Sequence, residues 1–231
     1  MAKMNYDAVI FDVDGTLWDA TKTMADAYSA ASEEAARKFR ALSIPMDPKQ
    51  FSGAQIRAEL GQPTIEIFRH LYPELEELFT DPMKAEKARQ EILDLSIVYE
   101  YDYLRRYGAK LYDGLSETLT ALHEKYPLFI VSNCEKGYIE LFTDFSKTGP
   151  LFDDWLCYGD TLKEKDRTIR IIMEKHGLQN PVYVGDIEKD ALSSRRAGVG
   201  FFWASYGFGN VPPELYDEKL HAFTDLKGLL C

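Results

Sequence analysis

Two aspartates one residue apart, Asp12 and Asp14, follow the apolar run Ala8-Val9-Ile10-Phe11 and lead into Gly15-Thr16. A strand ending there carries both carboxylates toward one side. Like charges so close need a cation or a shared proton between them. Gly15 lets the backbone approach a ligand closely. The same residues also make an Asx turn that closes the strand, with the second Asp capping the next helix. A second acidic pair has a similar setting: Val182-Tyr183-Val184-Gly185-Asp186 reads as a buried strand ending in Gly-Asp, and Asp190 follows four residues on. Acids at a helix start are also favoured by the macrodipole, which suits Asp190 taken alone. For Asp186, beside the first pair, metal ligation is the stronger expectation. Oxygen-only ligands without His or Cys point to magnesium.

A third strand end, Phe129-Ile130-Val131-Ser132-Asn133, offers a hydroxyl and an amide ahead of a helix start. Small polar groups and free amides there can hold a phosphoryl group, and either residue would equally serve as an N-cap. A dianion near fixed carboxylates needs a side-chain cation. Lys163 and Lys165 both lie on the segment that joins two strands, Gly159-Asp160-Thr161-Leu162-Lys163-Glu164-Lys165-Asp166. Most lysines on such segments are solvated, so the case for either rests on the site's need for charge.

Short apolar runs at 8–11, 128–131, 156–158, 182–184 and 199–203 predict strands, and segments of helical period separate the later ones. That alternation predicts a doubly wound α/β sheet whose ligands bind beyond the carboxyl ends of its strands. Residues 19–107 break the alternation and read as an all-helical insertion, leaving residues 1–18 and 108–231 as a discontinuous α/β core. Asp47-Pro48 and Asp81-Pro82 each resemble an N-cap followed by Pro at the first helical position. The second pair should open a helix from Pro82 to about Tyr107, with Met83, Ala88, Ile92, Leu95, Tyr99 and Tyr103 near one face and Gly108 ending it. The aromatic stretch from Phe201 to Gly209 suits a core strand plus a glycine turn, whose residues 206–209 could border the site.

The chain has 231 residues, with 27 Lys and Arg against 38 Asp and Glu, a formal charge of −11 that argues against a nucleic-acid partner. Three cysteines without metal-ligand spacing predict reduced thiols. The sequence enters a strand almost at once, and no apolar stretch approaches a membrane span. A soluble, cytoplasmic protein without a membrane partner is expected.

Together these elements resemble the haloacid dehalogenase superfamily of phosphohydrolases. Asp12-Val13-Asp14-Gly15-Thr16-Leu17 matches its first motif, Ser132-Asn133 its second, a lysine within 159–165 its third, and Gly185-Asp186 with Asp190 its fourth. The helical insertion lies where phosphoglycolate phosphatase-like members carry a C1-type cap. The resemblance implies a Rossmann-like core with strand order 5-4-1-2-3 beneath that cap, with hinges near Trp18-Asp19 and Gly108. Many relatives carry Lys-Pro-x-Pro at the third motif; here Lys163-Glu164-Lys165-Asp166 stands instead, and Lys165 is favoured.

Family roles carried onto these positions make Asp12 the nucleophile that forms an aspartyl-phosphate, and Asp14 the general acid and then base. Magnesium would be held by Asp12, the main-chain carbonyl of Asp14, and Asp186, with Asp190 supporting the metal or the lysine. Ser132, Asn133, Gly15, Thr16 and Lys165 would contact the phosphoryl group or its surroundings. The implied activity is hydrolysis of a small phosphomonoester, phosphoglycolate-like or a sugar phosphate. A β-phosphoglucomutase-like phosphomutase and a pyrophosphatase are the alternatives of the same family; a non-catalytic magnesium- or phosphate-binding regulator is the alternative of another class. Substrate choice should lie with insertion loops around Ser52-Gly53 and Gly61-Gln62-Pro63.

Overall fold

A computed structural model describes residues 5–62 and 64–231; Pro63, in one of the loops named above, lies outside them. Eight strands are present among the described residues: β1 (Val9–Phe11), β2 (Trp18–Asp19), β3 (Lys110–Leu111), β4 (Leu128–Ser132), β5 (Asp154–Cys157), β6 (Val182–Gly185), β7 (Gly200–Ala204) and β8 (Glu218–Leu220). The helices are α1 (Thr21–Ala41), α2 (Gly53–Glu59), α3 (Thr64–Leu71), α4 (Leu75–Leu78), α5 (Pro82–Tyr107), α6 (Leu115–His123), α7 (Tyr138–Ser146), α8 (Tyr158–Thr161), α9 (Lys165–His176), α10 (Glu188–Ala197) and α11 (Asp225–Leu230).

Six strands form one parallel sheet in the order β5-β4-β1-β6-β7-β8. Numbering β1, β4, β5, β6 and β7 as strands one to five gives the expected 5-4-1-2-3, with β8 added outside the fifth. The central strand is wholly buried, since Val9, Ile10 and Phe11 are each 0% exposed. That burial explains why it reads as an unbroken apolar run: helices cover both faces of a parallel sheet. Side chains alternate along the strand. Ile10 joins a core cluster with Ile169 and Ile172 of α9, whereas the Phe11 ring meets Phe152 and Phe223.

The sequence does not foretell three strands. β8 is a three-residue edge strand carrying Glu218 and Lys219, so it shows no apolar run. β2 and β3 are two residues each and pair antiparallel, Trp18 with Leu111 and Asp19 with Lys110, too short for any period. Tyr158, expected to end a strand, instead begins the short helix α8.

The chain divides into two compact units, residues up to Asp19 with Lys110–Cys231, and Ala20–Ala109. In the second unit α1 packs along α5. Asp81 caps α5 by accepting from the Met83 amide at 2.9 Å, and Gly108, at φ +64°, ends it. The expected apolar face is only partly right. Ala88 and Ile92 are buried, but Met83 is exposed, and the buried stripe runs on through Ser96, Glu100 and Leu104. Glu100 enters that stripe because Tyr28 donates to it at 2.7 Å, so a buried polar partner replaces apolar periodicity. The Asp47-Pro48 helix is absent. Residues 44–52 are non-helical because their amides are used elsewhere: Lys49 N–H donates to Ser32 and Phe51 N–H to Ser29, both on α1. The following helix, α2, starts at a capping box between Ser52 and Gln55. No helix among the described residues is long and apolar enough to cross a membrane.

Candidate active site

Four neighbouring strands deliver the candidate residues to one end of the sheet. Asp12 follows β1, Ser132 ends β4, Cys157 ends β5 ahead of the lysine segment, and Asp186 follows β6. Parallel strands in register share their carboxyl ends, so residues far apart in sequence become neighbours.

Lys165 stands at the start of α9, its ammonium 2.5 Å from Asp190 Oδ1 and 3.1 Å from Asp12 Oδ1. Lys163, two residues earlier, is exposed to solvent. The difference follows from the helix start: residue 165 opens the inward face that continues to Thr168, Ile169 and Ile172. Asp12 Oδ1 accepts no well-aligned hydrogen bond despite this ion pair. The other Asp190 oxygen, Oδ2, accepts from the Asp186 and Ile187 amides at 3.2 and 3.4 Å. Asp190 thus joins the lysine to the loop that carries Asp186.

Asp12, Asp186 and Asp190 bring carboxylate oxygens within 4.8 Å of one another, all buried. Three carboxylates against one ammonium leave an excess of negative charge in a poorly solvated place. Burial pushes the Asp12 carboxyl up to about 6, with Asp190 adding to the rise and Lys165 and Ser132 holding it down. Asp186 is raised well above the usual carboxylate range by burial and by Asp190 and Asp12. Burial alone would lower Lys165, but Asp12 and Asp190 hold it well above the ordinary lysine value. An acidic, oxygen-only donor set with an unsatisfied Asp12 oxygen fits a hard divalent cation.

The Asp14 carboxylate lies outside this cluster. Strand pairing of β1 stops at Phe11, so the turn rather than the pleat sets its direction. Its Oδ1 accepts from Trp18 Nε1 at 3.0 Å and from Tyr138 OH at 2.8 Å. Burial lifts Asp14 to about 7; Tyr138 and Trp18 pull it down, and Asp12 and Asp19 push it up.

The loop after β7 closes over the first motif. Tyr206 OH donates to the Thr16 carbonyl at 3.0 Å, and the Phe208 amide donates to Asp186 Oδ2 at 2.7 Å. Trp203 Nε1 reaches the Asp186 carbonyl at 3.0 Å. Thr16 is itself fully buried and its hydroxyl has no hydrogen-bond partner. Two glycines make the close approach possible. Gly15 has φ +77°, and a Cβ there would lie 2.0 Å from Asp186 Oδ2; a Cβ on Gly207 would lie 2.3 Å from the Gly15 carbonyl oxygen. Gly207→Ala should therefore cost about 1–3 kcal/mol of stability by overpacking and weaken binding of a divalent cation by displacing Asp186. Urea unfolding and cation titration measure both, and unchanged stability with unchanged cation affinity would contradict this account.

Trp18 and Tyr138 escaped the sequence as partners of Asp14. Trp18 reads there as a hinge, and Tyr138 as one apolar position of α7 beside Leu141 and Phe142. A donor group at each was the only available signal.

Residues 9–204 match the family described as Haloacid dehalogenase-like hydrolase. The chain belongs to this family. Among relatives of this hydrolase, a phosphoglycolate phosphatase of Vibrio vulnificus (strain YJ016) is 28% identical over 240 residues, covering 100% of this chain and 97% of that protein. A phosphoglycolate phosphatase of Pseudomonas fluorescens (strain Pf0-1) is 25% identical over 233 residues, covering 96% and 78%. Among solved structures, a predicted phosphoglycolate phosphatase from Haemophilus somnus aligns with the hydrolase at TM-score 0.76 and 22% identity, covering 97% of each chain. At that identity the likeness speaks for the fold alone.

Proposed function

We propose that this hydrolase is a magnesium-dependent phosphatase of a small phosphomonoester, phosphoglycolate-like or a sugar phosphate, acting through an aspartyl-phosphate on Asp12. The carrying observation is the unequal treatment of two neighbouring carboxylates. Asp12 lies against Lys165 and the acidic cluster, while Asp14 is held apart by two neutral donors. Different surroundings suit them to different work. Asp12 attacks phosphorus in line, and Asp14, lifted to about 7, delivers a proton to the departing alcohol. It then takes a proton from the water that hydrolyses the aspartyl-phosphate. Lys165, Ser132 and Asn133 hold phosphoryl oxygens, with Gly15 and Thr16 shaping the loop beneath them. Magnesium held by Asp12, the Asp14 carbonyl and Asp186, with Asp190 in support, would supply charge neutralisation at the phosphoryl group. Residues 19–107 serve as a cap that selects the substrate, and residues 1–18 and 108–231 as the core. A cytoplasmic setting suits such an enzyme of small phosphorylated metabolites.

Phosphate release with magnesium across phosphoglycolate, sugar phosphates, nucleotides and pyrophosphate tests the proposal. One strongly preferred monoester, with activity lost on chelation, is the expected result; no release from any of them would sink it. Cation binding has its own pH signature. Burial raises the folded-state values of Asp12 and Asp186 above their unfolded ones, so protons sit on these groups at low pH. As pH climbs through about 6 the proton leaves Asp12, and the cation-free protein loses stability. Magnesium should therefore raise the melting temperature more at pH 8 than at pH 5. A magnesium shift independent of pH would contradict this assignment of the cation site.

A further inference from the structure

We infer that Trp18 and Tyr138 form a clamp on one oxygen of Asp14 that forces its proton onto the other, aiming the acid at the leaving group. The inference rests on the proposed role of Asp14 as general acid and adds two positioning residues to it. Both donors converge on Oδ1, at 3.0 Å from the indole and 2.8 Å from the phenol. An indole N–H donates and cannot accept. The carbonyl oxygen of a carboxylic acid accepts better than its hydroxyl oxygen, so with two donors on Oδ1 a protonated Asp14 carries its hydrogen on Oδ2.

The donors are themselves fixed. Trp18 is 0% exposed, paired in strand β2 with Leu111, and its ring meets Tyr138 edge-on at 5.6 Å and Phe142 at 5.3 Å. Tyr138 is buried at the first position of α7. The two donors thus stop the rotation of the Asp14 carboxyl.

In the first step an Asp12 oxygen forms a bond to phosphorus as the bond from phosphorus to the ester oxygen breaks. The ester oxygen keeps that electron pair and receives the proton from Asp14 Oδ2. In the second, water attacks phosphorus and gives a proton to Asp14, while the Asp12–phosphorus bond breaks and restores the carboxylate. The clamp matters most where the leaving oxygen needs its proton. An alkyl phosphate needs it, whereas an aryl phosphate departs as a stable phenolate.

The test compares Tyr138→Phe and Trp18→Phe with wild type on an alkyl ester, phosphoglycolate or the best monoester found, and on p-nitrophenyl phosphate. Tyr138→Phe removes one oxygen atom and is the variant least prone to disturb folding; thermal melting checks both. In single turnovers, which isolate the first step from hydrolysis of the aspartyl-phosphate common to both esters, each variant is expected to lower the maximal rate of alcohol release from the alkyl ester by about 10-fold or more, a fraction of what general acid catalysis supplies, with the half-saturating concentration little changed. The single-turnover release of p-nitrophenolate should fall by less than about 3-fold on the same grounds. Asp14→Asn serves as reference and should show the same selectivity in stronger form. Equal losses on both esters in the clamp variants, with selective loss in Asp14→Asn, overturn the clamp alone. Indifference of Asp14→Asn to the leaving group overturns the general-acid role and the clamp with it.

Discussion

Asp12→Asn is expected to lose phosphate release by on the order of 10⁴-fold or more, the scale seen when a nucleophile is removed from an otherwise intact site. The amide keeps the shape of the carboxyl group but is a poor nucleophile toward phosphorus. Its distance from Lys165, 3.1 Å in the native protein, need not change. Loss of activity should come without loss of fold. Burial raises Asp12 to about 6, so above that pH the native carboxylate is ionised at a cost to the folded state. A neutral Asn escapes the cost, and at pH 8 without added cation the variant should melt no lower than wild type. Trapping completes the experiment: borohydride treatment during turnover should reduce an acyl-phosphate at Asp12 in the native enzyme and label nothing in the variant. Release by Asp12→Asn at even a hundredth of the native rate would place the nucleophile elsewhere.

Lys165→Met should injure both stability and chemistry. Lys165 is 4% exposed and is the cation that meets Asp12 and Asp190. Removing one partner of a buried ionic group leaves the other charges uncompensated, a cost of about 3–5 kcal/mol. Chemistry should fall by on the order of 10²–10³-fold, the loss typical when one preorganised charge stabiliser is removed. The stability deficit carries a pH sign. Lys165 holds Asp12 down, so without it the carboxyl rises beyond about 6. A group with a raised folded-state value penalises the fold increasingly as pH rises past its unfolded value. The gap between variant and wild type in urea unfolding should therefore widen from pH 5 to pH 8. A gap that narrows over that range would mean that Lys165 does not compensate these carboxylates.

The sheet was legible because a parallel strand covered on both faces must be apolar throughout. Residues 8–11, 128–131 and 182–184 show this, and each hands its polar neighbour to the same end. Local rules also sufficed for α5, where Asp81-Pro82 and Gly108 mark ends that depend only on backbone chemistry. They failed at Asp47-Pro48, because serines of α1 take the amides of the following segment, a contact invisible in local sequence. They failed also at Glu100, where a partner 72 residues away makes burial tolerable.

Sequence alone determined which acids follow strand ends and which lysines lie on the segment joining two strands, since type and spacing along one chain carry that information. Tertiary structure alone distinguishes the surroundings of Lys163 and Lys165: both satisfy the need for charge, but only the second begins the inward face of α9 and meets Asp12 and Asp190, while the first is exposed. It also separated Asp12 from Asp14, close in sequence but held by different neighbours. Trp18 and Tyr138 reach one carboxylate oxygen from 4 and 124 residues away. The direction in which a buried carboxyl points depends on such donors, and these meet only once the sheet has brought its ends together.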